Sequence, residues 1–326
     1  MTRDVHSPGG VTAGTPLRPG PSNASLTPVR LWVALLVTMS LVVAGCSSST
    51  PADPAQQTAQ EEVGDAPPPP GPDQSIPRDP ERLAERLSMT TAALHEAIDR
   101  WRSEGDTRGP TPEVVTLYAL HQQRIHLLLT NRPDLAEDVV PGLPRALARD
   151  LRTTVVARRG LARLTPPVPV RRFKTGPALP AGVLLDHYRK AQRRFHVAWP
   201  VLAAVHFVES AFGRLRNESV SGARGPMQFI PSTWEAYGMG GDVRDPHDAI
   251  MGAANYLHAS GAPADYARAL YAYNPSAAYV RAVLGYARQM RRDTRTYFAY
   301  HSWQVFVRTP SGTRRITGPP PLAPGS

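Results

Sequence analysis

The chain has 326 residues, a formal net charge of +10, 35 prolines, 25 glycines and a single cysteine. One cysteine excludes an intrachain disulfide and a cysteine-based metal cluster. A basic chain raises the question of nucleic-acid binding, but the arginines occur as scattered pairs without a recognition motif, so we predict no nucleic-acid partner. The charge is better explained by a solvated face, or by attraction to an anionic envelope polymer or membrane surface.

Residues 1–46 are predicted to be a disordered start followed by a lipoprotein signal peptide. The apolar run at residues 31–44 is too short to span a bilayer comfortably and fits a signal-peptide core. Small residues and Cys46 follow it, which resembles a bacterial lipobox. The alternative, a buried cysteine closing a short hydrophobic segment, is disfavoured because serines follow at once. We expect a lipid anchor at Cys46 and a location at the outer face of the cell membrane.

Residues 47–80 are predicted to be a disordered tether. They contain four consecutive prolines, at positions 67–70, scattered acidic residues and no apolar face. Such a composition favours an extended, partly polyproline-like chain. The tether would hold the folded part of the protein away from the membrane.

Residues 81–165 are predicted to be a helical extension. Apolar residues at helical spacing indicate helices over residues 81–103, 113–129 and 144–164, with prolines between the first two. Three histidines in this region show no metal-ligand spacing: His95, His121 and His126. We therefore expect no metal site here, and we interpret the proline-containing residues 166–180 as a linker.

An apolar helix that begins near Pro200 ends in an acidic residue. Four positions share one face of this helix: Leu202, Val205, Glu209 and Phe212. Glu209 therefore points to the apolar side, and it lies in the last turn, with Gly213 as the expected C-cap, where the macrodipole disfavours negative charge. Both effects raise the pKa of a carboxyl group, as a general acid near neutral pH requires. The alternative is an ordinary glutamate paired with Arg214 or Arg216.

Three motifs follow one another at a specific spacing. They are Glu209-Ser210, then SGARGPMQF at residues 221–229, then Ala272-Tyr273-Asn274. In order, they resemble the motifs of the lytic murein transglycosylases of the goose-type-lysozyme-like (soluble lytic transglycosylase) superfamily, in the version of actinobacterial lipoproteins. The resemblance covers residues 184–290. The family's glycine after the Tyr-Asn pair is missing, which leaves the local loop geometry open.

A second Glu-Ser pair, Glu218-Ser219, competes for the role of the acid. It lies only nine residues before Met227, about half the interval that the family leaves, and no apolar helix precedes it. Glu209 is the better candidate.

The resemblance implies a mainly α fold. We expect a lysozyme-like α-helical catalytic domain at residues 181–295, preceded by the helical extension, and a small hairpin with a proline-rich tail at residues 296–326. Glu209 would be the catalytic acid. The residues expected to contact substrate are Ser221, Met227, Gln228, Tyr273 and Asn274. Tyr273 would form a hydrogen bond near the acid. The alternative for Met227 is that it only packs in the core. The alternative for the Tyr-Asn pair is that the tyrosine is simply buried and the asparagine simply ends a helix.

Most glycosidases need two carboxylates, and these motifs offer one. The resemblance implies that Glu209 protonates the MurNAc–GlcNAc glycosidic oxygen, that the substrate's acetamido group assists, and that Glu209 then accepts the C6 hydroxyl proton. The product would carry an anhydro-muramoyl end. No metal or cofactor is implied. The expected partners are peptidoglycan glycan strands, the membrane through Cys46, and other cell-wall enzymes in complexes. The alternatives are a hydrolytic muramidase and a non-catalytic peptidoglycan-binding lipoprotein.

Overall fold

The computed structural model describes residues 68–320, all of which belong to one compact unit. The signal segment, Cys46 and most of the tether lie outside these residues. Between residues 68 and 320, no helix is both long enough and apolar enough to cross a membrane.

Four α-helices form the extension: α1 Pro80–Glu104, α2 Glu113–Asn131, α3 Pro133–Val139 and α4 Arg145–Leu164. The bounds of α1, α2 and α4 agree with the sequence patterns to within two residues, whereas the short α3 was not predicted. A 3-10 turn at Val140–Gly142 joins α3 to α4, and another at Val170–Arg172 lies in the predicted linker. The linker also pairs with the chain that follows the acid, through a β-bridge between Thr175 and Leu215.

Seven further helices follow: α5 Ala181–Phe195, α6 Trp199–Ser210, α7 Pro231–Tyr237, α8 Pro246–Ala259, α9 Tyr266–Tyr273, α10 Ala277–Arg292 and α11 Thr294–Ser302. An antiparallel hairpin ends the described part of the chain, with β1 Phe306–Thr309 paired to β2 Gly312–Arg315. The mainly α fold is thereby confirmed. Helix α11 crosses residue 295, at which we had expected the catalytic domain to end.

Helix starts in the second half follow ordinary capping chemistry. Four N-cap side chains accept a hydrogen bond from a backbone N–H of the first turn: Asp245, Asp265, Ser276 and Asp293. Such caps stabilise a helix by about 1 kcal/mol each. Pro200 lies in the first turn of α6, where its missing N–H leaves no hydrogen bond unmade.

One hydrophobic core joins the extension to the later helices. Buried residues of α1, among them Ile98 and Trp101, belong to the same cluster as buried residues of α5, α6 and α8 to α11. The Trp101 ring packs edge-on against Phe298 with the centroids 5.4 Å apart. A second cluster lies within the extension and contains Leu83, Leu87, Ile125, Leu129 and Leu151. The C-terminal part of α1, which contains Ile98 and Trp101, is therefore part of the catalytic domain's core.

Buried amides tie the extension to the segment after α11. The Gln123 side chain donates to the Gln304 carbonyl oxygen at 2.7 Å and accepts from the Gln304 N–H at 2.8 Å. Nearby, the Trp303 indole N–H donates to the Gln122 side chain at 3.3 Å. Because buried polar groups are costly to leave unpaired, these bonds fix where the chain runs before the hairpin.

Candidate active site

Helix α6 ends at Ser210, the residue after Glu209, and a tight reversal of the chain follows. Its C-cap is Ala211, with φ of 51°, and Phe212 and Gly213 also have positive φ, at 61° and 82°. The expectation that Gly213 caps the helix is therefore wrong by two residues. Left-handed backbone is unfavourable for residues with a Cβ, so packing must hold it. The buried Phe212 ring supplies that packing, in contact with His206 and Phe207.

The Glu209 carboxyl lies in a largely desolvated position while the residue keeps partial exposure to solvent. Burial raises its pKa from 4.5 to about 7, because a charged carboxylate loses hydration there, and a hydrogen bond from Tyr279 opposes part of the shift. The Tyr279 hydroxyl donates to Glu209 Oε1 at 2.7 Å. At neutral pH the group is thus poised between its protonated and ionised forms.

Ser210 connects the acid's helix to the second motif. Its Oγ donates to the Pro226 carbonyl oxygen at 2.5 Å and accepts from the Gly213 N–H at 2.9 Å. The hydroxyl is buried, so both bonds are shielded from water. The Glu-Ser pair therefore has a structural explanation, in which the serine holds the second motif against the end of α6.

The loop of the second motif folds back on itself. Arg224 and Phe229 exchange two backbone hydrogen bonds of 2.9 Å, and between them Gly225 and Gln228 have positive φ, at 72° and 51°. A Cβ on Gly225 would come within 1.8 Å of the Val243 carbonyl oxygen, so only glycine fits there. The turn is set by this close approach of two backbones.

The side chains of the second motif differ in exposure. Ser221 is exposed, at the outer end of the loop. Met227 is fully buried in the main core, in line with the packing alternative for that residue. The Gln228 amide is partly buried and donates to the carbonyl oxygens of Asn217 and Gly225 at 3.1 and 3.0 Å. Contacts of these three residues with substrate remain predictions.

The third motif lies across from the second. The Tyr273 hydroxyl donates to the Met227 carbonyl oxygen at 2.7 Å, and the Tyr273 ring meets Phe229 edge-on at 5.8 Å. Glu209 is close enough to contribute to the raised pKa of Tyr273. Asn274 is the C-cap of α9, is partly exposed, and makes no side-chain hydrogen bond within residues 68–320. The three motifs are thus brought to one place, with the Asn274 amide left unengaged.

Residues 186–296 match the family model of the transglycosylase SLT domain. The chain contains an SLT domain. Its family consists of lytic transglycosylases that act on peptidoglycan, so the predicted enzyme class is confirmed. Among curated proteins and solved structures, none matches the chain.

Several other acidic residues near the motifs of the SLT domain are engaged elsewhere. Glu218, of the second Glu-Ser pair, is exposed and lies 3.4 Å from Arg224 and 3.3 Å from Arg244. Asp245 caps α8, and Asp248 accepts from the Asp242 N–H at 3.0 Å. None of the described carboxyl groups contributes to the shift of the Glu209 pKa. Among these described residues, burial raises the pKa of Glu209, whereas hydrogen bonds from His247 and the Asp242 N–H lower the pKa of Asp248.

Tyr279 is the functional candidate that the sequence patterns missed. It lies in the first turn of α10, after the Ser276 cap, and its residue is buried. The sequence offered one signal, because a tyrosine within the apolar stripe of a helix needs a partner for its hydroxyl. That partner is Glu209.

Proposed function

We propose that this protein cleaves the MurNAc–GlcNAc bond of peptidoglycan with Glu209 as acid and then base, leaving an anhydro-muramoyl end. The observation that carries the proposal is the desolvated Glu209 carboxyl, with a pKa raised to about 7 and a hydrogen bond from Tyr279. The SLT domain match supports the general activity on peptidoglycan.

The first step is a proton transfer from Glu209 to the glycosidic oxygen. Because Oε1 already accepts from Tyr279, the transferable proton is carried on Oε2. The C1–O bond breaks as the substrate's acetamido oxygen bonds to C1, and the leaving sugar keeps the proton. This step requires a protonated carboxyl, which burial provides at neutral pH.

The second step returns the proton to the enzyme. The C6 hydroxyl of the same muramoyl residue attacks C1, displaces the acetamido oxygen, and gives its proton to the Glu209 carboxylate. One carboxyl suffices because the substrate supplies the nucleophile from within, already in place. The isolation of Glu209 from the other described carboxylates supports this route over a two-carboxylate mechanism.

The test is product analysis of digested murein by mass spectrometry, with wild type and Glu209→Gln in parallel. Wild type should release fragments with anhydro ends, and Glu209→Gln should lose this release by about 100-fold or more. The matched control is Glu218→Gln, at the other Glu-Ser pair, which should keep wild-type activity. Products with hydrolysed reducing ends, one water heavier, would instead establish a muramidase. Equal release by wild type and Glu209→Gln would contradict the role of Glu209.

We also propose that acylation of Cys46 anchors the enzyme to the outer face of the cell membrane, where it can work beside other cell-wall enzymes. The support is the apolar run at residues 31–44, which ends in small residues before Cys46. Metabolic labelling with a radioactive fatty acid should mark wild type and fail to mark Cys46→Ala. Equal labelling of the two proteins would contradict the anchor.

A further inference from the structure

A cavity of about 890 Å³ opens between the extension and the SLT domain. Its walls come from α2, α4, the segment after α4, the end of α6, α10 and the hairpin. Val208 and Ala211, on either side of Glu209 in the chain, line it, whereas Glu209 itself does not. The cavity is therefore next to the end of the catalytic helix without being the catalytic position.

The charge of the cavity is of one sign. Four arginines line it: Arg158, Arg159, Arg163 and Arg308. All of the lining residues lie within the described range, and no aspartate or glutamate is among them. A concave site with several cations and no anion favours a negatively charged occupant.

Arg158 differs from Arg308 in having no polar partner among the described residues. Its guanidinium lies 5.7 Å over the Trp303 ring, and burial lowers its pKa. Within residues 68–320, it makes no hydrogen bond and no ion pair, and its side chain is partly exposed where it lines the cavity. Arg308, by contrast, donates to the carbonyl oxygens of Ala162 and Thr165. An incoming anion would give this partly buried guanidinium the polar partner that none of the described residues supplies.

The rest of the lining is apolar or neutral. Aliphatic and aromatic side chains form much of the wall: Leu127, Leu161, Phe173, Phe207, Leu215 and Val305. Amide and hydroxyl groups are also present, on Gln123, Thr130 and Asn131. This mixture suits a peptide with a carboxylate and small aliphatic groups better than it suits a bare inorganic anion, which would leave the apolar wall uncovered.

We propose that this cavity binds a carboxylate-bearing peptide, namely the stem peptide of the murein strand that is being cleaved. The assignment to the strand rests on the proposed function and on the closeness of Val208 and Ala211 to Glu209. Arginine fits the task because its planar guanidinium can hold a carboxylate through two parallel hydrogen bonds. The extension thereby contributes to substrate recognition by the SLT domain.

Calorimetry with the full chain tests the binding directly. The probes are the acetylated tripeptide L-Ala-γ-D-Glu-L-Lys with free carboxylates, its fully amidated analogue, and inorganic phosphate. Wild type should bind the free acid, and Arg158→Met, which keeps an unbranched apolar stem, should bind it about tenfold or more weakly. Arg159→Glu, an exposed change at the rim that does not threaten folding, should weaken binding as well.

The matched control is Arg152→Met, on the same helix but exposed and outside the cavity, which should bind as wild type does. Equal affinity of wild type, Arg158→Met and Arg159→Glu for the free acid would overturn the proposal. Binding of phosphate without binding of the tripeptide would overturn it too, as would equal binding of the amidated analogue.

Cleavage assays test whether the peptide in the cavity is the stem peptide of the strand being cleaved or a peptide that does not belong to that strand. Arg158→Met should raise KM about tenfold on murein with stem peptides and leave KM unchanged on glycan strands stripped of peptide by an amidase. Lost tripeptide binding with unchanged KM on both substrates would assign the cavity to a separate acidic peptide and overturn the strand assignment. If wild type cleaves neither substrate, the proposed function fails, while the calorimetry still decides the cavity's ligand class.

Discussion

Tyr279 and Glu209 lie 70 positions apart in the chain and meet in a single hydrogen bond of 2.7 Å from the phenol to Oε1. The bond lowers the pKa of the carboxyl, against the larger effect of burial. The pKa of Glu209 is therefore set by two opposing effects, burial, which raises it, and the hydrogen bond from Tyr279, which lowers it.

Tyr279→Phe should move that balance. Without the donor the pKa of Glu209 rises above its value of about 7, so the protonated acid persists to higher pH. The alkaline limb of kcat/KM should shift to higher pH, and kcat should fall roughly tenfold or more because Oε1 loses its orienting partner. The control is Tyr271→Phe on the exposed face of α9, which should keep the wild-type pH profile. A pH profile of Tyr279→Phe equal to that of wild type would contradict the role of Tyr279.

Glu209→Gln should stabilise the protein in a pH-dependent way. The folded carboxyl has a pKa of about 7 against 4.5 in an unperturbed glutamate, so the folded state holds a proton that the unfolded state releases between these values. Its contribution is fully favourable below about pH 4.5 and is lost as the pH rises through about 7. Above that pH the folded state must hold an ionised, desolvated carboxylate, which costs stability, whereas glutamine does not ionise. The variant should match wild type near pH 4 and exceed it by about 1 to 3 kcal/mol near pH 8.

Urea unfolding at the two pH values measures this difference. Glu218→Gln serves as the control, because Glu218 is exposed and pairs with arginines, so its replacement should bring no gain near pH 8. A stability difference between Glu209→Gln and wild type that does not change with pH would rule out the desolvated carboxyl as its source.

Gly225→Ala and Gly240→Ala form a matched pair, with Gly225 in the second motif and Gly240 in the loop between α7 and α8. Both glycines have positive φ, 72° and 79°, but a new Cβ meets the Val243 carbonyl oxygen at 1.8 Å only at Gly225, and nothing within 4 Å at Gly240. Each change costs about 1 to 2 kcal/mol of backbone strain. Only Gly225→Ala should also displace the loop and abolish murein cleavage. Equal activity of the two variants, at equal melting temperatures, would show that the turn is not required.

Trp101→Ala tests the shared core. Trp101 packs on Phe298 of α11, and it belongs to the one buried cluster that α1 shares with the helices of the SLT domain, so its loss should cost about 3 to 5 kcal/mol and lower the melting temperature of both regions in one transition. Met89→Ala on the same helix, where Met89 is 57% exposed, should leave the melting temperature unchanged. Two separate unfolding transitions would contradict a common core.

Local sequence patterns predicted the helices and the position of Glu209, because helix formation depends on residues within a turn or two of each other. The apolar spacing before Glu209 placed it at the end of α6, and the structure has α6 ending at Ser210. The spacing could not predict that Ala211 would cap the helix, because propensity favours glycine at a left-handed position and the packing of Phe212 overrides that preference. The cap is decided by tertiary contacts.

Contacts between distant helices escaped the sequence for the same reason. Tyr273 and Tyr279 are both downstream tyrosines, and only the arrangement of α9 and α10 decides that Tyr279 reaches Glu209 while Tyr273 binds the Met227 carbonyl oxygen. The continuity of the core across residues 166–180 depends likewise on how α1 packs against α11, which no local periodicity encodes.

Among the residues that the structure describes, no charged side chain contributes to the raised pKa of Glu209, and this determines how the site responds to salt. Dissolved ions screen charge–charge interactions beyond about 10 Å at moderate ionic strength, but they do not restore the hydration that burial removes. Burial and one neutral donor control Glu209, so the pH limit of catalysis should stay constant as ionic strength changes.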